Sequence, residues 1–100
     1  MGFFGLFGNK NKKINDFKSR DAVILDVRTK SEYDSGAIPG SKHIPLQQIS
    51  VKISEIKKWD RPVITCCASG MRSGSAAGIL RKNGIEAVNG GGWQSLYQKL

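Results

Sequence analysis

Apolar positions along the 100 residues change period several times. DAVILDV (21–27) is a short β-branched run, the pattern of a strand covered on both faces. SEYDSG (31–36) opens on the helix-capping residue Ser31 and soon reaches Gly36, which predicts a short helix. KHIP (42–45) fits a brief strand stopped by Pro45. Leu46, Ile49, Ile53, Ile56 and Trp59 then recur at steps of three and four, the stripe of an amphipathic helix, until Asp60-Arg61-Pro62 breaks it. PVITCC (62–67) predicts a further strand. A helix follows over Ser73–Lys82, with Arg81 and Lys82 in its last turn and Gly84 just beyond. IEAVN (85–89) reads as a strand, GGG (90–92) as a loop and WQSLYQKL (93–100) as a closing helix.

Strands alternating with helices imply parallel pairing through right-handed crossovers, hence a small α/β sandwich. In such sheets ligands sit at the carboxyl ends of strands, where CCASGMRS (66–73) lies. The length fits one domain. Residues 1–19 read as a basic leader, flexible or docked on the core, and residues 20–100 as the folded unit.

Net charge is +8, and half of it comes from Lys10, Lys12, Lys13, Lys18 and Arg20 against Asp16. That balance favours an anionic partner: a small substrate, an acidic protein or a membrane surface. Nucleic acid is disfavoured because none of its recognition motifs is present. The aromatic start and basic tail of residues 1–13 could touch an anionic membrane, but a frayed or core-docked terminus is favoured. Nothing resembles a metal-ligand spacing or a cofactor motif. The two cysteines are adjacent, too close for an unstrained disulfide, so they read as reduced thiols of a cytoplasmic protein.

Cys66 and Cys67 lie on opposite faces of their strand. Four residues separate Cys67 from Arg72, and five separate Cys66 from it. The shorter loop cradles a single sulfur; the longer one suits a tetrahedral anion. In either case three sources of positive potential converge on the thiol. These are the N–H groups of the Gly70 loop, the N-terminus of the following helix, and Arg72. Together they lower a cysteine pKa and make a thiolate nucleophile. Strand parity alone leaves both cysteines open.

CASGMRS (67–73) resembles the active-site loop of single-domain rhodaneses, sulfurtransferases whose pattern is Cys, two residues, Gly, any residue, Arg, Ser. ILDVRTKSEYDSGAIPGSKHIP (24–45) and LRKNGIEAVNGGGW (80–93) are similar to segments of the same family, in its order. The resemblance implies a rhodanese-like three-layer sandwich: a mostly parallel sheet of about four to five strands, with helices on both faces. The segment before Asp21 is short for the family, so an edge strand is expected to be reduced or missing.

The resemblance also implies a function. Cys67 would take a sulfane sulfur from thiosulfate or another persulfide donor and pass it to cyanide or a thiol. Ala68, Ser69, Gly70, Met71, Arg72 and Ser73 would form the anion-binding loop, with Arg72 turned inward as its brace. Asp26 and Arg28 are expected as supporting residues, as a structural ion pair or as substrate contacts. No cofactor is expected. Related domains with the longer loop are phosphatases or arsenate reductases and would use Cys66; a non-catalytic interaction module is a further alternative. Ala37 replaces the family's usual His, and His43 its usual Asn. His43 reads as structural rather than as a general base, and Trp93 as a core residue rather than a wall of the loop.

Overall fold

The computed structural model describes the backbone from Gly2 and the side chains from Lys10 onward. Four strands form one wholly parallel sheet: β1 (Val23–Asp26), β2 (Lys42–His43), β3 (Val63–Cys67) and β4 (Ala87–Gly92), in the order β2-β1-β3-β4. Five helices accompany them: α1 (Gly2–Ser19), α2 (Lys30–Asp34), α3 (Ile53–Lys58), α4 (Met71–Lys82) and α5 (Trp93–Lys99). Every residue of β3 is buried, as a central strand covered on both faces requires.

The alternation of β3 divides the core in two. Val63 and Cys67 join Leu25, Val27, Ile49, Ile56, Ala76, Ala77 and Leu80 beneath α3 and α4. Ile64 and Cys66 point to the other face, where Ile14 and Phe17 of α1 and Leu96 of α5 cover them. The small alanines let α4 approach the sheet closely, which brings its first turn against the end of β3.

From Lys10 onward the basic leader is the C-terminal part of α1, which covers one face of the sheet, and no strand precedes β1 among the described residues. Ile14 and Phe17 are each 1 % exposed. Arg20 also links Asp16 at 2.8 Å to Glu86 at 2.7 Å. Such exposed pairs are screened by solvent and contribute little, against roughly 1.5–3 kcal/mol for each buried apolar side chain. Apolar burial therefore docks α1. The membrane-surface reading rests largely on residues 1–9, whose side chains lie outside the described residues. No described helix is long and apolar enough to cross a membrane.

Three local expectations are corrected. The stripe from Leu46 to Trp59 is two 3₁₀ turns (Leu46–Gln48 and Ser50–Lys52) before the short helix α3. No side chain caps these starts, and a three-residue step suits the tighter turn as well as the α-helix. Helix α2 is capped by Thr29 instead of Ser31. Thr29 Oγ1 accepts from the Glu32 N–H at 3.2 Å, and Glu32 Oε1 accepts from the Thr29 N–H at 3.1 Å, a complete capping box.

The glycine triplet is the end of β4, where a loop was expected. Thr65 pairs with Asn89 but Cys67 with Gly92, so β4 carries one extra residue there. This is a β-bulge, and Gly91 at φ +86° supplies the left-handed backbone that it needs.

Candidate active site

Cys67 ends β3, and the chain turns at once into α4. Gly70 makes the turn possible. Its φ is +105°, and a Cβ there would lie 3.3 Å from the Cα of Gly91, so side chains are disfavoured both by conformation and by space. The result is a ring of backbone around one sulfur. The Gly70 N–H donates to Cys67 Sγ at 3.0 Å and the Ser73 N–H at 3.4 Å, while Ser73 Oγ lies 3.4 Å away. The cradle is thus built from main-chain donors at the start of a twelve-residue helix, whose dipole has the same sign.

These contacts set the ionisation. Burial of Cys67 raises its pKa, but the Ser73 hydroxyl and the N–H groups of Ser73, Gly70 and Ser69 outweigh it, bringing the thiol from 9.0 to about 7. Alkylation of the native protein by iodoacetamide should therefore rise with pH through an inflection near 7. An inflection at the ordinary thiol value would contradict the cradle.

Cys66 is the opposite case. It is fully buried among Ile14, Phe17, Ile64 and Leu96, and burial, then Asp26, push its thiol up to about 12 although Arg28 opposes them. It is a small core residue. The longer loop counted from Cys66 has no thiolate at its head.

The expected loop residues are contiguous, but they do different things. Ser69, Gly70 and Ser73 address the sulfur. The Ala68 carbonyl faces Gly92, where a Cβ would come within 2.9 Å of it. Met71 is 82 % exposed and points outward. Arg72 is half-buried and points to α2: its guanidinium donates to both carboxylate oxygens of Glu32 at 2.7 and 3.0 Å. Arg72 braces the loop against α2, and its hydrogen bonds, with those from Thr29, hold Glu32 at a pKa of about 2 against partial desolvation.

Asp26 and Arg28 form a buried ion pair. Arg28 donates from Nη2 to Asp26 Oδ2 at 2.8 Å and from Nε to both carboxylate oxygens at 3.0 Å. Its backbone N–H adds a bond to Asp26 Oδ1, and Nη2 reaches the Gly36 carbonyl at 2.7 Å. Trp93 lies against the guanidinium, 4.8 Å from ring centroid to Cζ, while also packing on the core beneath α1 and α5. The pair ties the end of β1 to the chain beyond α2. His43 is structural too. Its Nε2 meets the Arg28 carbonyl at 2.8 Å and so carries the proton, and its ring stacks on Tyr33.

Two residues of the site escaped the sequence reading. Glu32 was readable, since Thr29-x-x-Glu32 is a capping-box pattern. Asn89 had no local signal. Its Oδ1 lies 2.7 Å from Ser73 Oγ and accepts from the Gly91 N–H at 2.9 Å, while Nδ2 donates to the Gly70 carbonyl at 3.0 Å. One amide thus spans β4, the loop and α4.

Comparison with known proteins agrees with this architecture. The family model described as rhodanese-like domain matches residues 10–99. The thiosulfate sulfurtransferase GlpE of Pseudoalteromonas translucida is 37 % identical over 84 residues, covering 79 % of each protein. YqhL of Bacillus subtilis is 45 % identical over 69 residues, 69 % of this chain and 54 % of YqhL, so the chain spans about half of that relative. A crystal structure of a rhodanese-related protein from Thermoplasma volcanium superposes with a TM-score of 0.71 at 29 % identity, covering 89 % of this chain and 88 % of that one. With fold, loop and family match in agreement, the chain belongs to the rhodanese-like domain family.

Proposed function

We propose that the protein is a sulfurtransferase that moves a sulfane sulfur from thiosulfate or another persulfide donor to a thiophilic acceptor through a persulfide on Cys67. One observation carries the reading: a thiol brought to about 7 stands at the head of a ring of N–H donors sized for one sulfur. The Cys67 thiolate attacks the outer sulfur of thiosulfate. The donor's S–S bond breaks, and sulfite leaves with its electron pair. The acceptor, cyanide or a thiolate, then attacks the outer sulfur of the persulfide and returns Cys67 as thiolate. The N–H groups of the loop hold the anionic sulfur throughout.

Cys67 is only 1 % exposed, which favours a small donor or one that presents its sulfur on an extended arm. Lys10 adds positive potential at the rim, its Nζ 3.6 Å from where a Cβ of Gly91 would stand. That charge and the exposed Met71 suit an anionic donor or an acidic protein acceptor. Two free cysteines suit a reducing compartment such as the cytoplasm. No step requires a cofactor.

Incubation with thiosulfate should add one sulfur, about 32 Da, to the peptide containing Cys67, and cyanide should remove it as thiocyanate. A protein that stays unmodified under thiosulfate and under a persulfide donor is not a sulfurtransferase. Turnover of an aryl phosphate or arsenate would point instead to the phosphatase or reductase chemistry.

A further inference from the structure

Ser73 carries one hydroxyl proton, and two acceptors stand within its reach. Cys67 Sγ is 3.4 Å from Ser73 Oγ, and Asn89 Oδ1 is 2.7 Å from it. The orientation of the Asn89 amide is fixed by its other partners. The Gly91 N–H requires an oxygen, and the Gly70 carbonyl requires the amide N–H. Two oxygens at 2.7 Å need a proton between them, and only Ser73 has one to give. In the resting site, therefore, the hydroxyl points at Asn89 and presents a lone pair to the sulfur. That arrangement accepts from a neutral thiol and does not donate to a thiolate.

We propose that Asn89 is a positioning residue for the nucleophile, competing with Cys67 for the proton of the Ser73 hydroxyl and so holding back ionisation of the sulfur. The inference rests on Cys67 being the reactive thiol of the proposed function, but not on the identity of the donor. When the thiol ionises, a charge-assisted bond to sulfur becomes the stronger of the two, and the hydroxyl turns to it. The turn gives up the bond to Asn89, which partly cancels the stabilisation. Ser73 is a rotor with two stops, and Asn89 weights one of them.

Ser73 does not depend on Asn89 for its position. Its carbonyl accepts from Thr65 Oγ1 at 2.8 Å and its N–H donates to Cys67 Sγ, so the residue is held from β3. The charged groups around the cysteines are Asp26 and Arg28 at the end of β1, Arg72 of α4 with Glu32 of α2 against it, and Lys10 of α1 above Gly91. None of them bonds the Ser73 hydroxyl, which leaves Asn89 as its only side-chain competitor among the described residues.

The consequence for chemistry follows from how thiolates react. Nucleophilicity falls as the thiol pKa falls, and the best attacking thiol has a pKa near the ambient pH. By restraining Ser73, Asn89 keeps the sulfur a strong nucleophile instead of an over-stabilised anion.

The test is the pH profile of iodoacetamide alkylation, which needs no sulfur donor and so stands apart from the success or failure of the sulfurtransferase reading. Cys66 lies under the apolar cover of Ile14, Phe17 and Leu96 with its thiol pushed up to about 12, and stays silent over roughly pH 5 to 9. Asn89→Ala should lower the Cys67 inflection by about half a unit or more, the scale of one hydroxyl hydrogen bond. In the Ser73→Ala background the same substitution should leave the inflection where it is. A purely structural Asn89 predicts the opposite sign, because a loosened loop loses the Gly70 donor and the inflection rises. If Asn89→Ala does not fold, Asn89→Asp replaces it: the carboxylate grips the hydroxyl proton harder. It should raise the inflection more in the wild-type background than in the Ser73→Ala background. A raised inflection in Asn89→Ala, or shifts that are equal in the two backgrounds, would overturn the proposal.

Discussion

Cys67→Ser is expected to abolish persulfide formation, with thiocyanate production falling at least about a thousand-fold, to the rate without protein. A serine hydroxyl does not ionise near neutral pH, and the N–H groups that bring the thiol to about 7 cannot close so large a gap. The partner experiment is Cys66→Ala, chosen over serine so that no hydroxyl is buried among apolar side chains. Its side chain points among Ile14, Phe17, Ile64 and Leu96, away from the cradle. Removing the sulfur leaves a small cavity costing about 1 kcal/mol, and turnover should stay within a few-fold. Mass spectrometry after thiosulfate treatment reads both variants. Activity that survives Cys67→Ser and dies with Cys66→Ala would reverse the assignment.

The second large effect is on stability. Asp26→Ala should destabilise the fold by about 3–5 kcal/mol, the cost of leaving a buried charge without its partner. The Arg28 side chain is 5 % exposed, and Asp26 accepts its Nε, its Nη2 and its backbone N–H. After the substitution the guanidinium keeps the Gly36 carbonyl and the face of Trp93, neither of which carries a full negative charge. Chemical denaturation measures the difference. Replacing Asp26 and Arg28 together by apolar residues should cost less than Asp26→Ala alone, since no charge is then stranded. A loss below about 1 kcal/mol in the single variant would mean that water reaches the guanidinium, contrary to its burial.

What the sequence disclosed and what it hid divide along a physical line. The buried strands announced themselves because a chain covered on both faces must be apolar at every position, as Val63 and Ile64 are. The strand around Cys66 and Cys67 also carried its parity, which left two options that the N–H donors gathered on Cys67 alone then separated. The breaks were harder to see. The stripe from Leu46 to Trp59 fits two 3₁₀ turns and a short helix as well as it fits one helix, because a spacing of three belongs to both. Gly90, Gly91 and Gly92 looked like a loop because glycine is poor in strands. Only the register of β4 against β3 shows that a bulge needs them. Arg72 was readable as a loop cation, but the direction of its side chain depended on Glu32, forty residues earlier. Asn89 could not be found locally, since what it does depends on meeting Ser73 across a strand crossover.

The bulge in β4 also acts as a gauge. A Cβ on Gly70 would lie 3.3 Å from the Gly91 Cα, and one on Gly92 would lie 2.9 Å from the Ala68 carbonyl oxygen, so β4 packs directly against the loop. If Cys67 carries sulfur as proposed, the width of its cradle is set partly outside the loop, and lengthening the loop alone should not convert one chemistry into the other. The neighbouring strand would have to be recut with it.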